Sequence, residues 1–159
     1  LAGYRRIALS DLSWFLITVY LLLHTVGAHY TYSEVPFGYW LQDIFAQERN
    51  SYDRLVHFSF GLLLAYPFSE ILMKHTPLKQ KWSYYFSIEI VLALSGLFEI
   101  IEMCAAGFVS HDLGDSYLGI QGDKWDAQKD IALATAGAIL TMLITAAVRH
   151  DRKNKVVAA

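Results

Sequence analysis

Glu99 and Glu102 lie inside an apolar run, Trp82 to Val109, that is long enough to cross a bilayer. A carboxylate within a transmembrane helix costs roughly 2.5–3.5 kcal/mol on insertion scales, so two of them need partners or a purpose. Three residues apart, they share one helix face. Adjacent carboxyls also push one another toward the protonated form, which leaves an acid beside a base. Asp53 and His57 stand at i, i+4 near the start of another apolar run, the spacing of an imidazole oriented by a carboxylate. Asp126 and Asp130 repeat that spacing, and Asp123 extends their face by three residues. Two chemistries follow. In the first, Glu99, Glu102 and His57 are catalytic, with a glutamate giving or taking a proton and the histidine relaying it. In the second, Asp126 and Asp130, with His57, Glu99 and Glu102, hold a divalent metal. That donor set is oxygen-rich with one imidazole and suits Mn, Mg, Fe or Zn rather than Cu. The dimetal helical signature is Glu-x-x-His on two helices, whereas the spacing here is Glu-x-x-Glu, so metal is the secondary expectation. The structural alternative is that the glutamates pair with Arg54 or with tyrosines and merely hold helices together.

Those residues have to be carried by membrane-crossing elements. Of the 159 residues 55% are hydrophobic and only 18% charged, and the charges collect between long apolar stretches, the pattern of a polytopic membrane protein. A first helix is predicted from Asp11 to about Tyr30, with His24 and His29 near its end. A second runs from Tyr52 to about Met73 with Pro67 expected to kink it. The third follows from Trp82, and the fourth begins near Lys124 or Trp125 and extends through Val148. Between the first two, Pro36 and Gly38 should break any helix, and Trp40, Leu41, Ile44 and Phe45 then fall on one face of a short amphipathic helix lying on the membrane. Ala132, Ala136 and Gly137 are small residues of the kind that let membrane helices approach closely. The basic tail from Arg149 to Lys155 reads as frayed. The fold class is therefore all-α: a polytopic transmembrane bundle of about four spanning helices plus one interfacial helix. Residues 1–159 form a single integral membrane domain, and a start at Leu1 leaves room for earlier helices.

Basic residues precede helix one, fill the loop between helices two and three, and follow helix four. The positive-inside rule puts those regions, and both ends of the segment, in the cytoplasm. Residues 27–51 and 110–123 are then on the outer side. At 1.5 Å per residue, His57 lies about 8 Å below that surface and Glu102 and Glu99 roughly 10–15 Å below it. Asp126 and Asp130 enter at matching depths. His29, Tyr32, Arg54, Trp125 and Gln128 belong to the same level and are the expected substrate contacts, Gln128 having a packing hydrogen bond as its alternative role. His111, Asp112 and Asp115 read as a solvated loop or a lid. Glu89 falls on another face and reads as a structural pairing, and Cys104 as a packing residue.

A net charge of −2 and the lack of a basic stripe exclude nucleic acid as a partner. One cysteine excludes an internal disulfide, and no phosphate cradle or nucleophile elbow is present. The segments His29–Pro36 and Glu48–Phe58, the pair Glu99 and Glu102, and the run Gln121–Asp130 together resemble the YjdF-type bacterial inner-membrane proteins across nearly the whole chain. That resemblance implies a bacterial inner-membrane location and a helical architecture, and no reaction. A second similarity, carried by Asp53, His57, Phe58, Glu102 and Asp130, is to VanZ-like membrane proteins, which are associated with glycopeptide resistance and cell-envelope phenotypes.

The functional expectation is an outward-facing cavity of acids and histidines that binds or modifies a cell-envelope lipid or its headgroup, with membrane lipids as partners. The alternative is a non-catalytic accessory or assembly subunit that joins other membrane-protein subunits through the small-residue face of helix four. A proton-coupled carrier would need polar residues continuing toward the cytoplasm, where only Glu70 and Glu89 offer them.

Overall fold

The computed structural model describes residues 9–46, 48–108, 121 and 123–157. Among the described residues five α-helices follow one another: α1 (Asp11–His29), α2 (Pro36–Phe45), α3 (Tyr52–His75), α4 (Gln80–Ala106) and α5 (Asp126–Val157). Three of these are long and apolar enough to cross a membrane, namely α1, α3 and the Asp126–Asp151 portion of α5, with mean hydropathies of 1.4, 1.5 and 2.2. With 27 residues α4 matches them in length, but Glu89, Glu99 and Glu102 interrupt its apolar character. Four long helices and a short one are the architecture that the apolar runs predict.

Local chemistry explains most of the boundaries. Ser10 caps α1 by accepting from the Ser13 N–H, and Asp11 in the first turn complements the helix dipole. The chain leaves α1 through Thr31 and Tyr32, both in the left-handed region with φ of 52° and 55°, and the Tyr32 N–H returns to the Gly27 carbonyl at 2.8 Å. Pro36 does not break a helix. It occupies the first position of α2, where its missing N–H costs nothing and its fixed φ is already helical. Pro67 is buried inside α3, which is helical on both sides of it. The last helix begins at Asp126, a residue or two later than its composition suggests, and continues to Val157 through the basic stretch expected to fray. The stretch around His111, Asp112 and Asp115 lies outside the described residues.

α3 is the central rod, packing against α1, α4 and α5, and α4 also packs on α5. The contact with α5 is close. A Cβ at Gly61 would overlap the Ala134 carbonyl oxygen, and one at Gly137 would overlap the Phe58 carbonyl oxygen. Ala65, Val91, Ala134, Ala138 and Met142 fill the space around this seam. The Thr141 hydroxyl donates across it to the Leu62 carbonyl at 2.5 Å. On the α3–α4 side, buried Ser83 donates to the Ser69 carbonyl at 2.9 Å. Small and hydroxylated residues thus occupy the interior, while Phe15, Met103 and Leu143 are more than 60% exposed. A soluble bundle would bury those large side chains; a bundle dissolved in lipid turns them outward and packs its small residues inside. Cys104 and the helix-five residues Ala132 and Ala136 also lie on the exposed side. The buried stripe of α5 is Asp130, Ala134, Gly137, Ala138, Thr141 and Thr145.

Candidate functional site

Four helices bring titratable groups to one end of the bundle. His57 stands in the second turn of α3 and is 7% exposed. Its Nε2 is 3.3 Å from Glu99 Oε1 of α4 and 3.6 Å from Asp53 Oδ1 one turn earlier on α3. The Glu99 oxygen nonetheless makes no hydrogen bond; the distance is that of an ion pair without a donor directed along it. Single ligand atoms of Asp53, His57 and Asp130 all lie within 4.8 Å of one another, and the same holds for His57, Glu99 and Glu102. The three sequence-predicted catalytic residues are therefore neighbours, and Asp130 joins them from α5. At 2% exposure Asp130 is the most deeply buried of these acids, and its Oδ1 has no hydrogen-bond partner. The i, i+4 pair Asp53 and His57 and the i, i+3 pair Glu99 and Glu102 each present both members to the cluster, as helix geometry allows.

Asp126 is placed differently. Its carboxylate receives Arg49 at 2.5 and 3.3 Å and Arg54 at 3.3 Å, so two guanidinium groups, rather than the His57 cluster, take it up. Asp123, just ahead of α5, accepts from Arg54 and from Lys129, each at 2.5 Å, and from the Trp125 N–H at 3.1 Å. The Lys129 bond above all, with the Trp125 amide, holds the Asp123 carboxyl down at about 2. Arg54 thus bonds Asp123 and Asp126 and pairs with neither Glu99 nor Glu102. Behind it, Asn50 is 1% exposed: its side chain donates to the Val35 carbonyl at 3.0 Å and accepts from the Tyr52 N–H at 3.1 Å. Gln121 bonds the Asn50 backbone on both its N–H and its carbonyl, at 2.9 Å each. Arg49 and Asn50 are the anchors that fix the start of α3 and hence His57. The only local signal was a run of polar residues between a predicted interfacial helix and a spanning one.

Two spaces meet at the His57–Glu99 contact. One is a cavity of about 290 Å³ between α1, α3 and α4, walled by aromatic rings and by Leu94 and Ser95. Its polar groups are His57, the Tyr20 phenol, the Ser95 hydroxyl, which is buried without a partner, and a His24–Tyr32 pair joined at 2.8 Å. The other is a groove of about 660 Å³ between α4 and α5, reaching Glu99, Lys124 and Gln128. Tyr32 therefore does line a cavity. His29 does not: it is exposed and stacks edge-on against Tyr30, and His24, one turn and a half earlier, faces inward in its stead. Trp125 is 57% exposed beneath the Lys124 ammonium, away from the cluster. Gln128 is exposed along the groove.

Toward the other end of the bundle a site that sequence spacing did not reveal ties α1 to α3. Glu70 accepts from the Ser10 N–H at 3.0 and 3.1 Å, from the Ser10 hydroxyl at 2.8 Å, from the Ser13 hydroxyl, and pairs with Lys74 at 2.8 Å. Glu89 is hydrogen-bonded by Tyr85 on its own helix, the structural pairing that its face suggests.

Comparison with known proteins bears on the whole chain. Residues 1–152 match the family model described as "Predicted membrane protein (DUF2238)". The chain is 37% identical over 147 residues to the inner membrane protein YjdF of Escherichia coli strain K12, an alignment that covers 92% of this chain and 70% of that protein. No solved structure matches.

Proposed function

As a member of the DUF2238 family of membrane proteins, this chain is a multi-pass protein of the bacterial inner membrane, and we propose that its His57–Glu99 cluster binds or modifies a cell-envelope lipid or the headgroup of one. The observation that carries this reading is the division of the 290 Å³ cavity. Aromatic and aliphatic walls make up most of it, while His57, Ser95, the Tyr20 phenol and the His24–Tyr32 pair supply its few polar groups. Such a space suits an amphiphile, with a chain against the rings and a polar group at the imidazole. In this reading Glu99 or Glu102 gives or accepts a proton, His57 relays it, and the cluster faces the outer leaflet. Of the small residues that would favour an accessory-subunit role, Gly137 is taken up inside the bundle by α3, while Ala132 and Ala136 remain exposed.

Lipid retained by the full chain after purification in detergent tests the proposal. One lipid class, at about one molecule per protein and enriched over the bulk membrane, is the expected result. Leu94→Trp, which fills the cavity from α4, should release it. Retained lipid that mirrors the bulk membrane and is indifferent to Leu94→Trp overturns the binding claim. Folded Glu99→Gln and Glu102→Gln proteins that both process the retained headgroup as the wild type does overturn the acid–base role.

A further inference from the structure

We propose that Asp53, His57 and Asp130 form a binding site for one divalent cation that prefers four-coordinate nitrogen and oxygen ligands, of which Zn²⁺ is the type, with the fourth position left to a water or a bound ligand. Three independent features converge on it. The first is spacing. An ion bound at about 2.0–2.2 Å in tetrahedral geometry sets its ligands about 3.3–3.6 Å apart. His57 Nε2 stands 3.6 Å from Asp53 Oδ1, the length of one edge of such a polyhedron. Asp130 offers the third ligand from α5, and the ligand atoms of Asp53, His57 and Asp130 all lie within 4.8 Å of one another.

The second feature is an unanswered acceptor. Asp130 is 2% exposed, yet its Oδ1 has no hydrogen-bond partner, and Glu99 Oε1 is likewise buried without one. Buried carboxylate oxygens are otherwise satisfied by donors or by metal, as Glu70 in this same bundle illustrates with its two serines and Lys74. The third feature is where the neighbouring cations go. Arg49, Arg54 and Lys129 direct their bonds to Asp123 and Asp126. The four acids Asp53, Glu99, Glu102 and Asp130 thus gather about a single imidazole, a set of oxygen ligands that a dication would satisfy.

The geometry admits one ion. A neutral imidazole has one acceptor nitrogen, and both carboxylate contacts converge on the same Nε2. Glu99 and Glu102, grouped with His57 but not with the Asp53–Asp130 side, are left beside the ion as bases for a bound water or ligand. The site differs from the Asp126-centred one that sequence spacing suggested, because the arginines occupy Asp126. It does not rest on the lipid reading, since its ligands and its test involve no amphiphile.

The test uses the full chain purified in detergent, stripped with a chelator and dialysed against Zn²⁺, with Co²⁺ substituted in parallel as a coloured probe. The site predicts one tightly held equivalent of Zn²⁺ and the intense visible bands of four-coordinate Co²⁺. Asp130→Asn and Asp53→Asn should each weaken Zn²⁺ binding at least tenfold, and His57→Ala should abolish the Co²⁺ bands. Glu89→Gln, remote from the cluster, should bind as the wild type does. No stoichiometric Zn²⁺, or Zn²⁺ held equally well by folded Asp130→Asn and Asp53→Asn proteins, overturns the proposal. Loss of bound lipid with Zn²⁺ binding intact would count against the lipid reading alone.

Discussion

The two ends of α3 hold buried carboxylates in opposite states. At its C-terminal end Glu70 is saturated: a backbone N–H, two hydroxyls and an ammonium converge on its two oxygens. At its N-terminal end Asp53 and His57 meet Glu99 and Asp130, where two buried oxygens have no donor. An acid buried with a complete set of donors is a fastener, since each charge-assisted hydrogen bond contributes about 1.5–3 kcal/mol. An acid buried without them lowers stability, and its persistence points to use. The contrast sorts the intramembrane acids of this chain better than depth does, because both sites are buried to similar extents, with Asp53 at 9% and Glu70 at 8% exposure.

Both sites hang on the rod between them, so the largest effect comes from breaking it. In Gly61→Leu the new side chain must displace the Ala134 backbone, which has no room to move. Overpacking of this kind costs about 3 kcal/mol or more. The protein should lose its monodisperse elution in detergent and show neither end intact. If Gly61→Leu elutes and melts like the wild type, α3 and α5 do not pack as described, and the comparison has no frame.

That frame was readable in part. Apolar runs, a proline and a few caps are local signals, so the number of helices followed from the apolar runs, and the gathering of His57, Glu99, Glu102 and Asp130 from helix phase together with their depth from the helix ends. The phase of α5 was harder. Ala132 and Ala136 look as suitable for close packing as Ala134 and Ala138, and only the position of Gly61 on a helix 73 to 77 residues away selects between them. Glu70 was passed over for the same reason: its partners are two ordinary serines 57 and 60 residues distant, placed by the fold and not by any spacing. The exchange of His29 for His24 turns on the left-handed pair Thr31 and Tyr32, residues without the glycine that would advertise such a turn.

A matched pair of substitutions sharpens the contrast between the two ends. Glu70→Ala strips Ser10, Ser13 and Lys74 of their acceptor and should destabilise the bundle by about 2–3 kcal/mol. Asp130→Asn removes a charge that lacks a donor, so in chelator-treated protein it should change stability by less than about 1 kcal/mol, and in the stabilising direction. Thermal unfolding in one detergent reads both. Equal losses from the two variants would mean that the orphaned acid is as structural as the clamped one.

The smallest effect is expected outside the membrane span, at Asp123. Lys129 and the Trp125 N–H hold this carboxyl at about 2, below its ordinary 3.8, with Arg54 adding to them. A group whose pKa falls on folding contributes stability that is complete above its unfolded pKa and disappears as pH drops through its folded one. The contribution of Asp123 should therefore be constant from neutral pH down to about 4 and be lost between about 4 and 2. Because its partner Lys129 is half exposed, salt should weaken the effect. Melting temperature followed from pH 5 to 2.5 should fall less steeply in Asp123→Asn than in the wild type, and the difference should shrink in high salt. Identical profiles would show that the Arg49 and Arg54 layer is held by Asp126 alone, leaving Asp123 to start α5 without helping to screen the deeper acids from these cations.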